Sequence, residues 1–227
     1  MREIACDENY LYGIRQSETS PSRFEFLALD KNDLSMTPIL LFDNNQGVIG
    51  MTGLGKNLVS YGSGVNLCLP FDNVIYQVSD KEIVHSFFMD YGDKSIDYSG
   101  MDEIKSEEFY ETYGKSHVWW IRNICGSETQ LLFQSSGIET FCLDVQSGTC
   151  KGYRSSYNDM FVYTTTDTIP VQSDGSTYAY MWKPTDVVTY KEIVSESALE
   201  KMSPDVRQTI MEYDIEDNPL VILCKLK

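Results

Sequence analysis

Short apolar runs, each closed by a turn signal, follow one another along most of the chain. Residues 10–14, 24–29 and 38–42 predict a three-strand meander, with turns at Asp30-Lys31-Asn32-Asp33 and Asp43-Asn44-Asn45. A second set falls at 65–69, 74–78 and 83–89, broken at Pro70-Phe71-Asp72-Asn73 and Ser79-Asp80-Lys81-Glu82. A third falls at 118–122, 130–134, 139–143 and 150–153. Its last hairpin turns through Asp144-Val145-Gln146-Ser147-Gly148-Thr149, where Gly148 can take positive φ. A fourth set is incomplete, with 177–182 and the terminal 220–224 only. Meanders recurring every ~45–60 residues have the spacing of propeller blades rather than of an evenly stranded sandwich.

Two interruptions read as helical. Residues 101–113 predict a short helix or irregular insert with a weak apolar face. Residues 196–213 predict two short helices. Ala198, Leu199 and Met202 keep helical spacing, Ser203 caps a new start with Pro204 at its first position, and Val206, Ile210 and Tyr213 form a stripe.

Composition sharpens this picture. With 227 residues the chain can bury a core without disulfide or metal staples. The 15 Tyr and 10 Phe favour pleated, half-buried surfaces. Net charge is −16, which argues against nucleic acid or an anionic membrane as partner. No apolar run approaches the ~18 residues of a membrane span, and MREIACDENY has no signal-peptide core. The charge is uneven: 72–114 hold 11 acidic residues and 3 Lys, a net of −8. That stretch reads as a solvated face or as an acidic patch for a cation or basic partner.

The string Pro70-Phe71-Asp72-Asn73-Val74-Ile75-Tyr76, then Asp90-Tyr91-Gly92, then the closing Asp217-Asn218-Pro219-Leu220-Val221-Ile222-Leu223, resembles the C-terminal part of six-bladed β-propeller proteins of Bacteroides and relatives. Asn73-Val74 stands where that family has Asp-Thr, and Tyr91 where it has Phe. The hairpin at 143–150 and the turn at Tyr157-Asn158-Asp159 keep the expected order. The resemblance covers about 60–227 and is loose before that. It implies an all-β, propeller-like chain of three to four antiparallel blade-like sheets with short helical inserts, part of a six-bladed propeller. Approximate units are 1–50, 58–100, 117–165 and 172–227 of a single domain. It also implies a periplasmic or cell-surface setting. Six blades need more chain than this, so a fragment or truncated relative is expected. Its open sheet edges should pair with another chain or leave it poorly stable.

Motifs for chemistry are sparse. Gly50-Met51-Thr52-Gly53-Leu54-Gly55-Lys56 has P-loop spacing, but Asn57 stands where a magnesium-binding hydroxyl is needed and no helical pattern follows. It reads as a glycine-rich loop. There is no Gly-x-Ser-x-Gly elbow, and His85 and His117 lack an evident nucleophile partner. The six cysteines, Cys6, Cys68, Cys125, Cys142, Cys150 and Cys224, form no zinc-type spacing and are expected as thiols. No metal or cofactor is expected. Trp119 and Trp120 fall in a predicted strand, facing opposite sides. Trp120, with Arg122 on its face, is the candidate ligand surface, able to stack on a sugar or peptide; core packing of both Trp is the competing reading. The expected function is a non-catalytic module binding a glycan, peptide or protein. The alternative is a glycan-active hydrolase or lyase using channel carboxylates, and a third reading is a scaffold.

Overall fold

The computed structural model describes residues 4–19, 23–43, 57–61, 63–69, 72–97, 106–114, 116–118, 121–127, 129–135, 140–153, 156–158, 163–165, 170, 172–173 and 177–225. The first sheet holds β1 (Ile4–Cys6), β2 (Tyr10–Gln16), β3 (Arg23–Asp30) and β4 (Met36–Asp43), paired antiparallel in that order. The three predicted strands are present and β1 precedes them; Ile4-Ala5-Cys6 is too short to show a period of two. Alternation puts Tyr12 opposite Ala28, and Ile14 opposite Phe26, on one face. Pro38 is tolerated because β4 is an edge strand, beside a bulge at Phe26/Leu27.

The second sheet holds β5 (Leu58–Tyr61), β6 (Gly64–Cys68), β7 (Val74–Ser79) and β8 (Glu82–Phe88). Every residue of β6 is buried, because sheets pack on both faces. Leu58, Val65, Leu67 and Val78 join Tyr12, Phe26 and Ala28 of the first sheet. Val59, Cys68 and Ile75 instead meet the third sheet. Each such aliphatic side chain contributes roughly 1.5–3 kcal/mol by leaving water. Gly64 is required here, since a Cβ would press into the Val78 carbonyl oxygen.

The third sheet holds β9 (Ile121–Gly126), β10 (Gln130–Ser135), β11 (Thr140–Asp144) and β12 (Thr149–Tyr153). Of the strand expected at 118–122, Ile121 and Arg122 open β9, residues 119–120 lie outside the described residues, and Val118 donates its amide to the Lys94 carbonyl at 2.8 Å and bridges Ser95. Within β9 the register pairs Arg122 with Gln134 and Cys125 with Leu132, leaving two residues opposite Phe133. Asn123 takes φ +53° in this bulge. The extra residue returns Ile124 to the face of Ile121, and both pack against the second sheet. Gly148 turns the last hairpin at φ +66°.

A separate hairpin pairs β13 (Ser156–Asn158) with β14 (Tyr163–Thr165). Tyr157 and Asn158, expected in a turn, are therefore in a strand, and Asp159 lies outside the described residues. The last sheet has three strands, β15 (Gln172–Ser173), β16 (Tyr178–Trp182) and β17 (Leu220–Cys224). Between β16 and β17 lie α2 (Pro184–Ile193), α3 (Glu196–Leu199) and α4 (Pro204–Glu212). The two helices expected over 196–213 are α3 and α4, broken at Ser203-Pro204. The earlier insert is α1 (Ser106–Thr112), with 101–105 outside the described residues. Sequence pattern missed α2, whose Val187-Val188-Thr189-Tyr190 reads as a β-branched strand.

The sheets stand face to face with their first strands meeting in chain order: β1 touches β5, β5 touches β9, and β9 touches β15. The outer strands β8 and β12 are exposed. This is an all-β, propeller-like row of blade-like sheets with short helical inserts, and among the described residues the row does not close into a ring. Among those residues no helix is long and apolar enough to cross a membrane. None of the six cysteines, all of them described, is joined in a disulfide. Cys142 pairs with Lys151, and Cys150 with Leu143, so the two sulfurs project from opposite faces of their hairpin.

Candidate functional site

Trp120 lies outside the described residues, as do Trp119 and the P-loop-like residues 50–56. Of Arg122 only the backbone is described, in β9 across from Gln134. His85 sits on the exposed β8 with its ring 6.0 Å from Phe87, and His117 is 2.7 Å from the Ser116 hydroxyl on an exposed turn.

Several carboxylates beside the strands hold turns. Asp7, just after β1, accepts the amides of Asn9 at 2.9 Å and Tyr10 at 2.7 Å on one oxygen. Its other oxygen accepts the Tyr12 hydroxyl at 2.6 Å. Burial, with the hydrogen bond to Asp7, pushes the Tyr12 phenol far above its usual range. Asp72 accepts the Tyr76 hydroxyl at 3.0 Å across the start of β7. Burial raises the Asp72 carboxyl above its usual range, opposed by the Tyr76 hydrogen bond. The Asp-x-x-x-Tyr spacing in the family-like string thus closes a local loop. Asp90 likewise accepts the Gly92 amide at 2.8 Å, with Gly92 at φ +62°. Among the described residues no three His, Cys, Asp or Glu side chains gather as a metal group. Asn66 and Gln77 face each other across β6 and β7, buried, and the Asn66 amide and Gln77 Nε2 have no partner among the described residues. Buried amides of this kind are commonly served by ordered water.

An accessible cavity lies at the last sheet. It has a volume of about 260 Å³ and is lined by Asp205, Val206, Thr209 and Ile210 of α4 and by Leu220, Val221, Ile222 and Leu223 of β17. Its walls follow from the sequence. Ser203 accepts the Val206 amide at 3.4 Å and Pro204 starts the helix, which fixes the entry of α4. Ile210 then points into the core formed with Trp182, Val187, Tyr190 and Ile222. The closing Asp217-Asn218-Pro219 stretch sets the turn into β17. Asp217 accepts the Asp214 amide at 2.7 Å, the Asn218 carbonyl accepts the Tyr213 hydroxyl, and Lys191 Nζ donates to the Tyr213 carbonyl at 2.8 Å.

Four consecutive β17 residues line this cavity. One face of a strand shows only alternate side chains, so the cavity runs along the strand's edge. Val206 and Ile210 bring one face of α4 up to it. Residues beyond the edge continue into an exposed apolar face: Met181, paired with Val221, is 47% exposed, Val221 is 60% exposed and Leu223 is 63% exposed. The sequence carried one signal of this site, the incomplete fourth set of strands. The helix-to-strand approach depends on residues 10–20 apart in the chain and had no local signature.

No family model matches the chain, and no curated protein matches it. Among solved structures it is similar to an exported protein of Bacteroides fragilis, at 13% identity and a TM-score of 0.48, over 100% of this chain and 77% of that one. It is also similar to PorZ, a surface component of the type-IX secretion system of Porphyromonas gingivalis, at 13% identity and a TM-score of 0.39, over 80% of this chain and 23% of that one. A third similarity is to the Pan2 WD40 domain of Neurospora crassa, at 9% identity and a TM-score of 0.38, over 80% of this chain and 55% of that one.

Proposed function

We propose that this chain is a non-catalytic binding module that takes a segment of another polypeptide in the groove between α4 and β17. The observation that carries the reading is the groove itself, an apolar slot beside an exposed apolar sheet face. At about 260 Å³ it is smaller than the ~300–1,000 Å³ typical of small-molecule sites. It suits a few side chains of a longer ligand that continues over the surface. Asp7, the acid next to the first innermost strand, has both carboxylate oxygens engaged by the protein.

The reading extends to a single propeller-like domain with one blade in each of 1–50, 58–100, 117–165 and 172–227. A periplasmic or cell-surface setting is supported by the resemblance of 60–227 to six-bladed propeller proteins of Bacteroides and relatives. Trp120 and Arg122 are a second candidate surface, for a glycan or peptide.

A combined glycan and peptide array tests the function. Peptides should be captured and released unmodified, and Thr209→Trp, which fills the groove, should lose them. Trp120→Ala and Arg122→Ala report on the second surface. Capture of a glycan followed by its cleavage, abolished by an Asp or Glu variant that still binds, overturns the non-catalytic reading.

A further inference from the structure

Each four-stranded sheet ends on an outer strand: β4 on the first, β8 on the second and β12 on the third. An exposed strand edge invites further pairing, and proteins blunt it with proline, lysine or a bulge. Glycine also weakens a strand interior. β4 carries Pro38, which has no amide to donate, and β12 carries Lys151 and Gly152 in its interior. β8 (Glu82–Phe88) holds no proline, lysine or glycine. Its protections lie at its start. Glu82 opens it, and Val84 bulges between Ile83, which pairs with Val78, and His85, which pairs with Gln77. From His85 to Phe88 the register is regular, and only Phe87 is half-buried. Among the described residues this strand pairs with β7 alone. Apolar side chains stand along it in water: Ile83 and Val84 are exposed, and Phe88 is 68% exposed.

We propose that β8 is a docking edge for an extended segment of a basic protein, which pairs along His85–Phe88 as a further strand of the second sheet. This surface is separate from the groove between α4 and β17, and the proposal goes beyond the reading of that groove. Along a strand edge, the N–H and C=O groups that point away from the existing partner can continue the ladder. Side chains of the added strand alternate between the two faces of the sheet. On one face they stand beside Phe88 and Ser86, in line with Val74 and Tyr76. On the other they stand beside Phe87 and His85, in line with Ile75 and Gln77. A phenylalanine waits on each face, so apolar side chains belong at the centre of the segment.

Charge selects the partner. β8 lies within the stretch 72–114, whose 11 acidic residues and 3 Lys leave a net of −8. Glu82 begins the strand and Asp90 and Asp93 follow it, all three exposed, so negative charge stands at both ends of the edge. Lys81 directs its ammonium to the first sheet, 4.9 Å from the centre of the Tyr10 ring. Among the described residues no three His, Cys, Asp or Glu side chains gather to hold a metal ion. The acids are thus strung along a surface, which suits a chain with Lys or Arg on both sides of an apolar centre and repels acidic segments. A second copy of this chain, at −16, is repelled in the same way.

The test uses the full chain and a seven-residue peptide with a Val-Thr-Val centre and two Lys at each end. One control peptide replaces Lys by Glu; the other is the Lys peptide methylated on alternate backbone nitrogens. The Lys peptide should bind in titration calorimetry, and both controls should bind at least ten-fold more weakly. Binding should slow amide hydrogen exchange at residues 85–88. Phe88→Lys, which sets a like charge on the open edge, should weaken the Lys peptide at least ten-fold. Glu82→Lys combined with Asp93→Lys should weaken it several-fold. Circular dichroism and melting should be unchanged in these variants, because the replaced side chains are exposed. Thr209→Trp, in the groove at α4, should leave this affinity unchanged. Loss of binding in Thr209→Trp with full binding in Phe88→Lys places the peptide in the groove and overturns the proposal while sparing the groove. Tolerance of methylation, or unaltered exchange at 85–88, overturns strand addition. Equal affinity for the Glu peptide overturns the basic partner, and absence of binding by the Lys peptide overturns the proposal as a whole.

Discussion

The second and last sheets solve the same packing problem with different material. The second sheet is covered on both faces by other sheets, and every residue of β6 is buried. The last sheet is covered on one face by Tyr190, Leu199 and Ile210 from α2, α3 and α4 and by Met202 between α3 and α4, while Met181, Val221 and Leu223 on its other face stay exposed. Sheet-on-sheet packing consumes both faces of a strand and leaves no opening. Helix-on-sheet packing leaves a slot where the helix axis and the strand edge diverge. In this chain the enclosed interface holds the Asn66 amide and Gln77 Nε2, without partners among the described residues, whereas the helix-covered sheet holds the accessible groove.

The comparison can be broken most forcefully inside the stack. Phe133 is fully buried and stacks on Phe141 at 5.3 Å between the second and third sheets. Phe133→Ala should cost about 3–5 kcal/mol in denaturant unfolding. A loss below about 1 kcal/mol would mean that two-sided burial does not hold the stack together. Ile210→Ala, at the centre of the helical cover, should cost about 2–4 kcal/mol. Its effect should concentrate in the last sheet, with hydrogen exchange faster in β16 and β17 than in β6 or β10. Uniform acceleration across all sheets would erase the distinction between the two regions.

Tyr12→Phe addresses the junction of the first and second sheets. It leaves one oxygen of Asp7 without its phenol donor and should cost about 1–3 kcal/mol. Ser203→Ala removes only the cap of α4 and should cost about 1 kcal/mol. A cap loss that also weakened peptide capture by the groove would show that the groove wall depends on the first turn of α4.

The smallest expected effect is one of pH. Burial raises the Asp72 carboxyl, so its folded value lies above its unfolded one. A raised group contributes stability below the unfolded value, near 3.9, and loses it as pH rises through the folded value. Asp72→Asn does not titrate and can still accept the Tyr76 hydroxyl. The melting temperature of the variant, relative to the parent, should therefore climb from acid to neutral pH and then level off. A flat difference would remove Asp72 as a titrating element of the second sheet.

Much of the sheet structure was legible because apolar residues alternate or cluster in runs bounded by Asn, Asp and Gly. The 130–134 and 220–224 strands, the Gly148 turn and the Ser203-Pro204 break follow from such local signals. Short innermost strands were not legible. Ile4–Cys6 and Leu58–Tyr61 acquire their role from the sheets on either side. The candidate site divided in the same way. Trp120 and Arg122 were chosen by residue type, and the observed groove is built of Val, Ile, Leu and Thr side chains with a single Asp, a set that carries no chemical flag.

The sequence by itself determined that this chain is β-rich, acidic and organised in repeated meanders. Those properties depend on residue type and spacing over a few positions. Tertiary structure alone decided that β9 bulges at Asn123 to keep Ile121 and Ile124 on one face, and that α4 lies beside the edge of β17. Both outcomes are set by contacts between segments distant in the chain. Local propensity carries no information about which edge a helix will meet, because that choice is made by the shared burial of Trp182, Ile210 and Ile222.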